Sequence, residues 1–169
     1  INELLDLAKI EARKLPLDMK WYNLNLITFE TIESLKPLAL KAKVDLSVHI
    51  DHVFEAEVDR DRYKQILTNL ISNSIKFSPV GSTINIAIQE TQHSRKEQCL
   101  MVSVRDHGAG IPEEDQAYIF EKFRQGANSN SPVMRGTGLG LAIAKALVEQ
   151  MGGYIDLESK VDQGSIFYF

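Results

Sequence analysis

The sequence predicts an α+β fold, a two-layer α/β sandwich in which helices pack on one face of a mixed β-sheet, preceded by a helical stub. Segments with apolar residues at helical spacing are interleaved with segments in which apolar and polar residues alternate. Two of the alternating segments are joined by a polar loop, which predicts an antiparallel hairpin. With 44% hydrophobic residues, the 169-residue chain can bury the core of one domain.

The composition excludes several classes of protein. Charged residues make up 25% of the chain and the formal net charge is −4, so a nucleic-acid partner is disfavoured. Cys99 is the single cysteine and cannot form an internal disulfide, which fits a reducing compartment. No signal peptide is present, and no apolar run approaches the roughly 18 residues of a membrane-spanning helix. We expect a soluble segment, which is still compatible with a piece of a membrane protein.

The first predicted helix follows one apolar stripe, which consists of Ile1, Leu4, Leu5, Ala8 and Ala12. Pro16 ends this helix or follows its end. Its pattern starts at the first residue without a capping signal, so we expect an excised stub at residues 1–15 and the main domain at 16–169. The next elements are expected to be a strand at Asp18–Asn25, a helix at Leu26–Lys43 with a kink or break at Pro37, and a strand at Val44–Ile50.

The second half of the chain is predicted to begin with a helix, Arg60–Ser78, capped by Asp59. The hairpin follows, with strands at Ser82–Gln89 and Leu100–Asp106 and a loop at Glu90–Gln98. Pro112–Phe123 is predicted to be a helix with proline at its start, and the small polar residues of Arg124–Met134 a flexible lid. The last elements expected are a helix at Gly138–Met151 that Gly152 and Gly153 stop, and strands at Tyr154–Ser159 and Ser165–Phe169.

The stretch "NLISNSIKF" places Asn69, Asn73 and Lys76 at i, i+4 and i+7, on the flank of an apolar helical arc. An amide oxygen is a neutral, hard ligand that suits Mg²⁺, and an ammonium group can meet phosphate. Two amides and a lysine in register favour a polar ligand lying along the helix. An ordinary solvated face remains the alternative on this pattern alone.

The stretch "DHGAGIP" places Asp106 at the end of a strand, before Gly108 and Gly110. The two glycines let the backbone turn tightly and approach a ligand. The carboxylate can accept a hydrogen bond from an exocyclic amine such as that of adenine, whereas guanine would present an acceptor there. A simple Asp-x-Gly turn is the alternative.

The stretch "GTGLGLA" leads into a helix, where exposed N–H groups bind phosphate. It is not a dinucleotide fingerprint, because Leu141 occupies the third glycine position, and it lacks the lysine and hydroxyl residue of a Walker loop. A glycine-rich cap without a ligand is the alternative.

Together and in this order, these stretches resemble the ATP-binding fold shared by histidine kinases, gyrase-type topoisomerases and heat-shock chaperone ATPases. Asn69–Phe77 resembles its N box, "DHGAG" its first glycine box, and "GTGLGLAIAKALVEQMGG" and "DQGSIFYF" the second and third. "IFEKF" resembles the F box of the kinases, and "LLDLAKIEARKL" resembles the end of the second helix of their dimerisation domain. The resemblance extends over essentially the whole chain.

The resemblance implies ATP and Mg²⁺ as cofactors and assigns roles to individual residues. Asn73 resembles the Mg²⁺ ligand, Lys76 a phosphate contact and Phe77 a wall of the pocket. Asn69 stands where hydrolysing members carry a glutamate base, so it would contribute to catalysis as a polar contact without base function. The other implied ATP-binding residues are Asp106, Gly108, Gly110, Ile111, Ile119, Phe120, Lys122, Arg124, Arg135, Gly136, Thr137, Gly138, Leu139, Gly140, Leu141 and Ser165.

Three positions depart from the family pattern. Ser74 stands where the kinases usually carry alanine, and Asp162 replaces the first of two glycines in the third box. Gln125 follows Arg124 where many members place arginine, which leaves Lys122, Arg124 and Arg135 as candidates for the phosphate contact.

None of the four histidines, His49, His52, His93 and His107, lies in an acceptor context. The resemblance therefore implies transfer of the ATP γ-phosphate to a histidine on a dimerisation domain absent from this chain. It also implies a homodimeric full-length protein, a response regulator receiver domain as partner, and a cytoplasmic location, free or as part of a membrane-bound sensor. The alternatives are a nucleotide-sensing module that transfers no phosphate, and a serine kinase or ATPase of the same fold.

Overall fold

A computed structural model describes residues 8, 10, 15–92, 98–123 and 137–169. Its helices are α1 (Leu24–Ala42), α2 (Arg60–Phe77), α3 (Glu113–Gln116) and α4 (Gly140–Gln150). Its strands are β1 (Met19–Asn23), β2 (Asp45–His49), β3 (Glu55–Asp59), β4 (Thr83–Gln92), β5 (Gln98–Arg105), β6 (Asp156–Lys160) and β7 (Gly164–Tyr168). No helix among the described residues has both the length and the hydropathy needed to cross a membrane.

The main sheet has five strands in the order β2-β4-β5-β7-β6. The β2–β4 pair is parallel and the other pairs are antiparallel, so the sheet is mixed, as predicted. Along β4, Ile84, Ile86 and Ile88 are buried against the helices, whereas the alternate residues are more exposed. The two-layer α/β sandwich is confirmed.

Helix α2 occupies the centre of the helical layer. The Asp59 carboxylate accepts hydrogen bonds from the backbone N–H groups of Asp61 and Arg62, which confirms the predicted N-cap. The side chains of Tyr63, Ile66, Leu67, Leu70 and Ile71 are buried almost completely between α1, α4 and the sheet. The remaining flank of the helix is therefore the only part of it that can face a ligand.

The structure corrects the element predictions at two places in the first half of the chain. Strand β3 was not predicted, because its sequence, EAEVD, is acidic; it pairs with β1 in a separate two-stranded sheet. Helix α1 continues through Pro37 without a break. Both Pro37 and Glu33, whose carbonyl loses its helical partner, are exposed, so water can replace the missing hydrogen bond.

The second half differs from prediction in two further elements. The helix predicted over Pro112–Phe123 is limited to α3, and turns follow to Phe123, whose φ is 61°. These turns are held by tertiary contacts: the Phe120 ring meets that of Phe167 edge-on, and the N–H of Phe123 donates to the Gly138 carbonyl. The hairpin strands extend into the predicted loop, with Gln92 opposite Gln98.

Replacement of Leu70 by alanine is expected to lower the free energy of unfolding by about 2–5 kcal/mol, because it leaves a cavity in the fully buried arc of α2. The matched change Leu40→Ala, at a side chain that is 75% exposed, is expected to cost less than about 0.5 kcal/mol. Urea unfolding of both variants measures the difference. Similar losses would show that α2 is not the centre of the core.

Candidate functional site

The polar flank of α2 begins with a contact to the second glycine-rich segment. The Asn69 side-chain N–H group donates to the carbonyl of Gly140, the first residue of α4, at 3.0 Å. A Cβ atom at Gly140 would lie 3.6 Å from the Asn69 side chain, so the two segments are in van der Waals contact. The structure thus brings two of the predicted motifs together, with Asn73 and Lys76 further along the same helix.

Lys76 and Phe77 lie at the end of α2. The Lys76 ammonium group lies 4.8 Å from the centroid of the Phe77 ring, a cation–π contact. Partial burial lowers the pKa of Lys76. The Phe77 ring is 47% exposed and offers apolar surface beside this cation.

Asp106 is buried at the end of β5. Its Oδ1 accepts hydrogen bonds from the backbone N–H groups of Gly108, at 2.9 Å, and Ser165, at 3.2 Å. Its Oδ2 lies 3.4 Å from the Ser74 hydroxyl, which donates to it from α2. Burial raises the pKa of the carboxyl, while these hydrogen bonds and the charge of His107 oppose the rise. Asp106 therefore joins three segments: α2, the first glycine box and β7.

Glycines allow these segments to approach one another by their backbones. A Cβ atom at Gly108 would lie 2.6 Å from the Phe77 carbonyl oxygen. At Gly110 it would lie 2.0 Å from the Lys160 carbonyl oxygen, and at Gly164 it would lie 2.1 Å from that of Asp106. Any larger residue would push the first glycine box away from α2, β6 or β7.

The backbone conformation at Asp162 explains why aspartate can replace glycine in the third glycine box. Its φ is 61°, a left-handed conformation that aspartate adopts more readily than most residues. Its N–H donates to the Ala109 carbonyl at 2.7 Å, and the residue is exposed. The turn before Gly164 keeps its contact with the first glycine box although glycine is absent.

Ser159 and Gln116 support the site, and sequence reasoning missed both. The Ser159 hydroxyl oxygen accepts from the Ile111 N–H at 2.8 Å and lies 2.9 Å from the Ser165 hydroxyl. The Gln116 side-chain N–H group donates to the carbonyls of Ile111 and Ser159. Neither residue stands in a glycine-rich motif, so only their tertiary contacts with Ile111 and with each other reveal their role.

The start of α4 follows a left-handed residue, Gly138, with a φ of 69°. The Thr137 hydroxyl oxygen accepts from the Leu139 N–H at 3.3 Å. Leu139 is the N-cap and offers no side-chain oxygen, so the first N–H groups of α4 have no side-chain cap from that residue. Such N–H groups bind anions, and Leu141 continues this first turn.

The other predicted residues fall into two groups. Ile111, Ile119 and Phe120 are partly buried against the core, and Lys122 is exposed. Arg124, Arg135 and Gly136, the predicted lid and most of residues 1–15 lie outside the described residues.

The chain matches known proteins over nearly all of its length. The family described as "Histidine kinase-, DNA gyrase B-, and HSP90-like ATPase" matches residues 58–169. The sensor histidine kinase GacS of Pseudomonas protegens is 42% identical over 99% of this chain, and the histidine-protein kinase BarA of Escherichia coli is 38% identical over 100%. The chain spans only 18% of the length of each.

The chain also resembles solved structures of histidine kinases. The nucleotide-free catalytic domain of histidine kinase ThkA is 30% identical with a TM-score of 0.75, over 90% of this chain and 94% of that one. Full-length ShkA, in complex with AMPPNP, is 26% identical with a TM-score of 0.81, over 99% of this chain and 34% of that one.

Replacement of Gly164 by alanine is expected to destabilise the domain by about 1–3 kcal/mol more than replacement of Gly152. The φ values of the two residues are nearly the same, 84° and 81°, so backbone strain should cost about 1–2 kcal/mol in both. Only at Gly164 does the new Cβ meet another atom, the Asp106 carbonyl oxygen, since the space at Gly152 is open. Urea unfolding measures both, and equal losses would contradict the close backbone approach.

Proposed function

The chain belongs to the histidine kinase, DNA gyrase B and HSP90-like ATPase family and is a catalytic domain of the sensor histidine kinase type. We propose that it binds Mg²⁺-ATP and presents the γ-phosphate to a histidine outside this chain. The observation that carries the proposal is the convergence of Asp106, the polar flank of α2 and the start of α4. The acceptor histidine belongs to the dimerisation domain of the same protein.

Asp106 recognises adenine. Its carboxylate is held in place by the N–H groups of Gly108 and Ser165, and accepts a hydrogen bond from the exocyclic amine of the base. Gly110, Ile111, Ile119 and Phe120 are further candidates for contacts with the nucleotide. The AMPPNP bound in the related ShkA supports an adenine nucleotide as the ligand.

Asn73 and Lys76 bind the phosphate end of the nucleotide. Asn73 is half-buried on the flank of α2, and its amide oxygen is a ligand that Mg²⁺ accepts alongside phosphate oxygens and water. Mg²⁺ held by Asn73 would supply positive charge that offsets the negative charge of the phosphates. Lys76 adds a positive charge, and the N–H groups of Gly140 and Leu141 at the start of α4 add hydrogen-bond donors. Lys122, Arg124 and Arg135 are further candidates for phosphate contacts.

Asn69 favours transfer over hydrolysis. An amide accepts no proton near neutral pH, so a water molecule at this position lacks a general base. Catalysis then consists of holding the γ-phosphate and stabilising its charge until an acceptor arrives in line. This separates the chain from an ATPase of the same fold.

The remaining partners are also proposals. The full-length protein is a homodimer through its dimerisation domain, and its phosphohistidine serves a response regulator receiver domain. The bacterial sensor kinases among the relatives support a cytoplasmic location for this domain. The acidic net charge of −4 argues against a nucleic-acid partner.

Replacement of Asp106 by asparagine is expected to weaken ATP binding about ten- to hundredfold, because a charge-assisted hydrogen bond to the adenine amine is lost. Calorimetric titration should also show that the wild type prefers ATP and ADP to GTP. Asp45→Asn, at an exposed position on β2, is the matched control and should bind like the wild type. Equal affinity of the wild type for ATP and GTP would overturn the adenine assignment.

Replacement of Asn73 by alanine is expected to abolish the part of ATP affinity that depends on Mg²⁺, while much of the adenine contact remains. The comparison is ATP affinity with Mg²⁺ and with EDTA, in the wild type and the variant. Asn85→Ala, on β4 of the main sheet, removes an amide elsewhere and should respond to Mg²⁺ like the wild type. An unchanged response in Asn73→Ala would show that Asn73 is not the ligand.

The domain is expected to hydrolyse radiolabelled ATP very slowly, because Asn69 cannot act as a base. It is also expected to remain unlabelled itself, because none of its four histidines lies in an acceptor context. Addition of the dimerisation domain of the same protein should yield labelled histidine on that domain. Rapid phosphate release that Asn69→Ala abolishes would identify a hydrolase. Stable labelling of the isolated domain would reveal an acceptor within this chain.

A further inference from the structure

Ser74 places a hydroxyl group in the buried arc of α2, where the neighbouring core positions are apolar. The residue is 1% exposed, and its hydroxyl donates to Oδ2 of Asp106. A buried hydroxyl is costly unless it finds a hydrogen-bond partner, and Asp106 is that partner. The contact links the helix that carries Asn73 directly to the carboxylate at the adenine position.

The two oxygens of the Asp106 carboxylate have different surroundings. Oδ1 accepts from two backbone N–H groups, those of Gly108 and Ser165, and each carboxylate oxygen has about two acceptor positions. Oδ1 is therefore fully used. Among the described residues, Oδ2 has the Ser74 hydroxyl as its donor and keeps one acceptor position. A base amine must then be received by Oδ2, beside Ser74.

We propose that Ser74 is a specificity-determining positioning residue, whose hydroxyl fixes Oδ2 of Asp106 as an acceptor and so makes the site select bases with an exocyclic amine. The inference rests on the proposed adenine site and names how its selectivity is set. A hydroxyl that faces an ionised carboxylate keeps its proton toward it. The remaining acceptor position of Oδ2 then repels the carbonyl group that hypoxanthine or guanine presents at the same place.

Removal of the hydroxyl should act differently on the two kinds of base. Without a donor from Ser74, the carboxylate is less firmly oriented and its charged form loses a stabilising hydrogen bond. Burial already raises the pKa of Asp106, with the Ser74 hydroxyl among the groups that oppose the rise. A carboxyl group that takes up a proton more readily can donate to a base carbonyl. Binding of an amino purine should therefore weaken while binding of a keto purine does not.

The test compares ADP with inosine diphosphate. At the ring position that faces Asp106, ADP carries an amine and inosine diphosphate carries a carbonyl group. In Ser74→Ala, calorimetry should show ADP binding weakened about three- to tenfold and inosine diphosphate binding unchanged or stronger. We expect only a modest loss of ADP affinity, because a distance of 3.4 Å is long for a hydroxyl-to-carboxylate hydrogen bond. Ser74→Thr, which keeps the hydroxyl, should retain the wild-type preference for ADP.

Two controls separate positioning from a structural role. Ser72→Ala removes a hydroxyl on the same helix that donates to the Asn69 carbonyl, and should leave the nucleotide preference unchanged. In an Asp106→Asn background, Ser74→Ala should not change the preference further, because the two residues act on one contact.

Equal weakening of both nucleotides in Ser74→Ala, with Asp106→Asn still abolishing the preference, would overturn the role of Ser74 and leave the adenine site intact. A wild-type domain that does not distinguish ADP from inosine diphosphate would overturn the adenine site itself, and the role of Ser74 with it.

Discussion

The buried arc of α2 determines where the polar residues of that helix can lie. Its buried side chains, which are Tyr63, Ile66, Leu67, Leu70 and Ile71, are surrounded by α1, α4 and the sheet. The helix therefore cannot rotate without exposing them. Asn69, Asn73 and Lys76 consequently lie on one flank of the helix, where Asn69 contacts the start of α4. The same burial energy that stabilises the domain thus positions the candidate binding residues.

The second half of the site depends on close contacts between backbones rather than side chains. Gly110 approaches the Lys160 carbonyl, and Gly164 approaches that of Asp106, at distances that exclude a Cβ atom. These contacts hold the end of β5 against β6 and β7, where the Ser165 N–H reaches the Asp106 carboxylate. Asp162 shows that the turn tolerates aspartate because its own left-handed conformation and its hydrogen bond to Ala109 are retained.

Sequence patterns predicted α2 and its cap well, because a long apolar stripe and Asp59 are local signals. They failed for β3, whose acidic sequence forms a strand only because β1 lies beside it. The helix predicted at Pro112–Phe123 fits its local pattern, yet contacts of Phe120 and Phe123 with distant residues hold it in turns. Likewise Ser159 and Gln116 support the site through tertiary contacts with Ile111 and with each other, which no local pattern indicates. Local signals therefore located the motifs, and tertiary pairing determined their support.

Asn69 illustrates how one residue type meets two requirements. Its side-chain N–H group donates to the Gly140 carbonyl, which fastens α2 to the first turn of α4. A carboxylate at the same place would bring an oxygen toward that carbonyl oxygen with no proton between them, and two acceptors repel. The amide thus supplies the donor that this packing needs, and under the proposed function it would provide no general base for hydrolysis. An amide instead of a carboxylate at this position therefore affects the packing of the site as well as its chemistry.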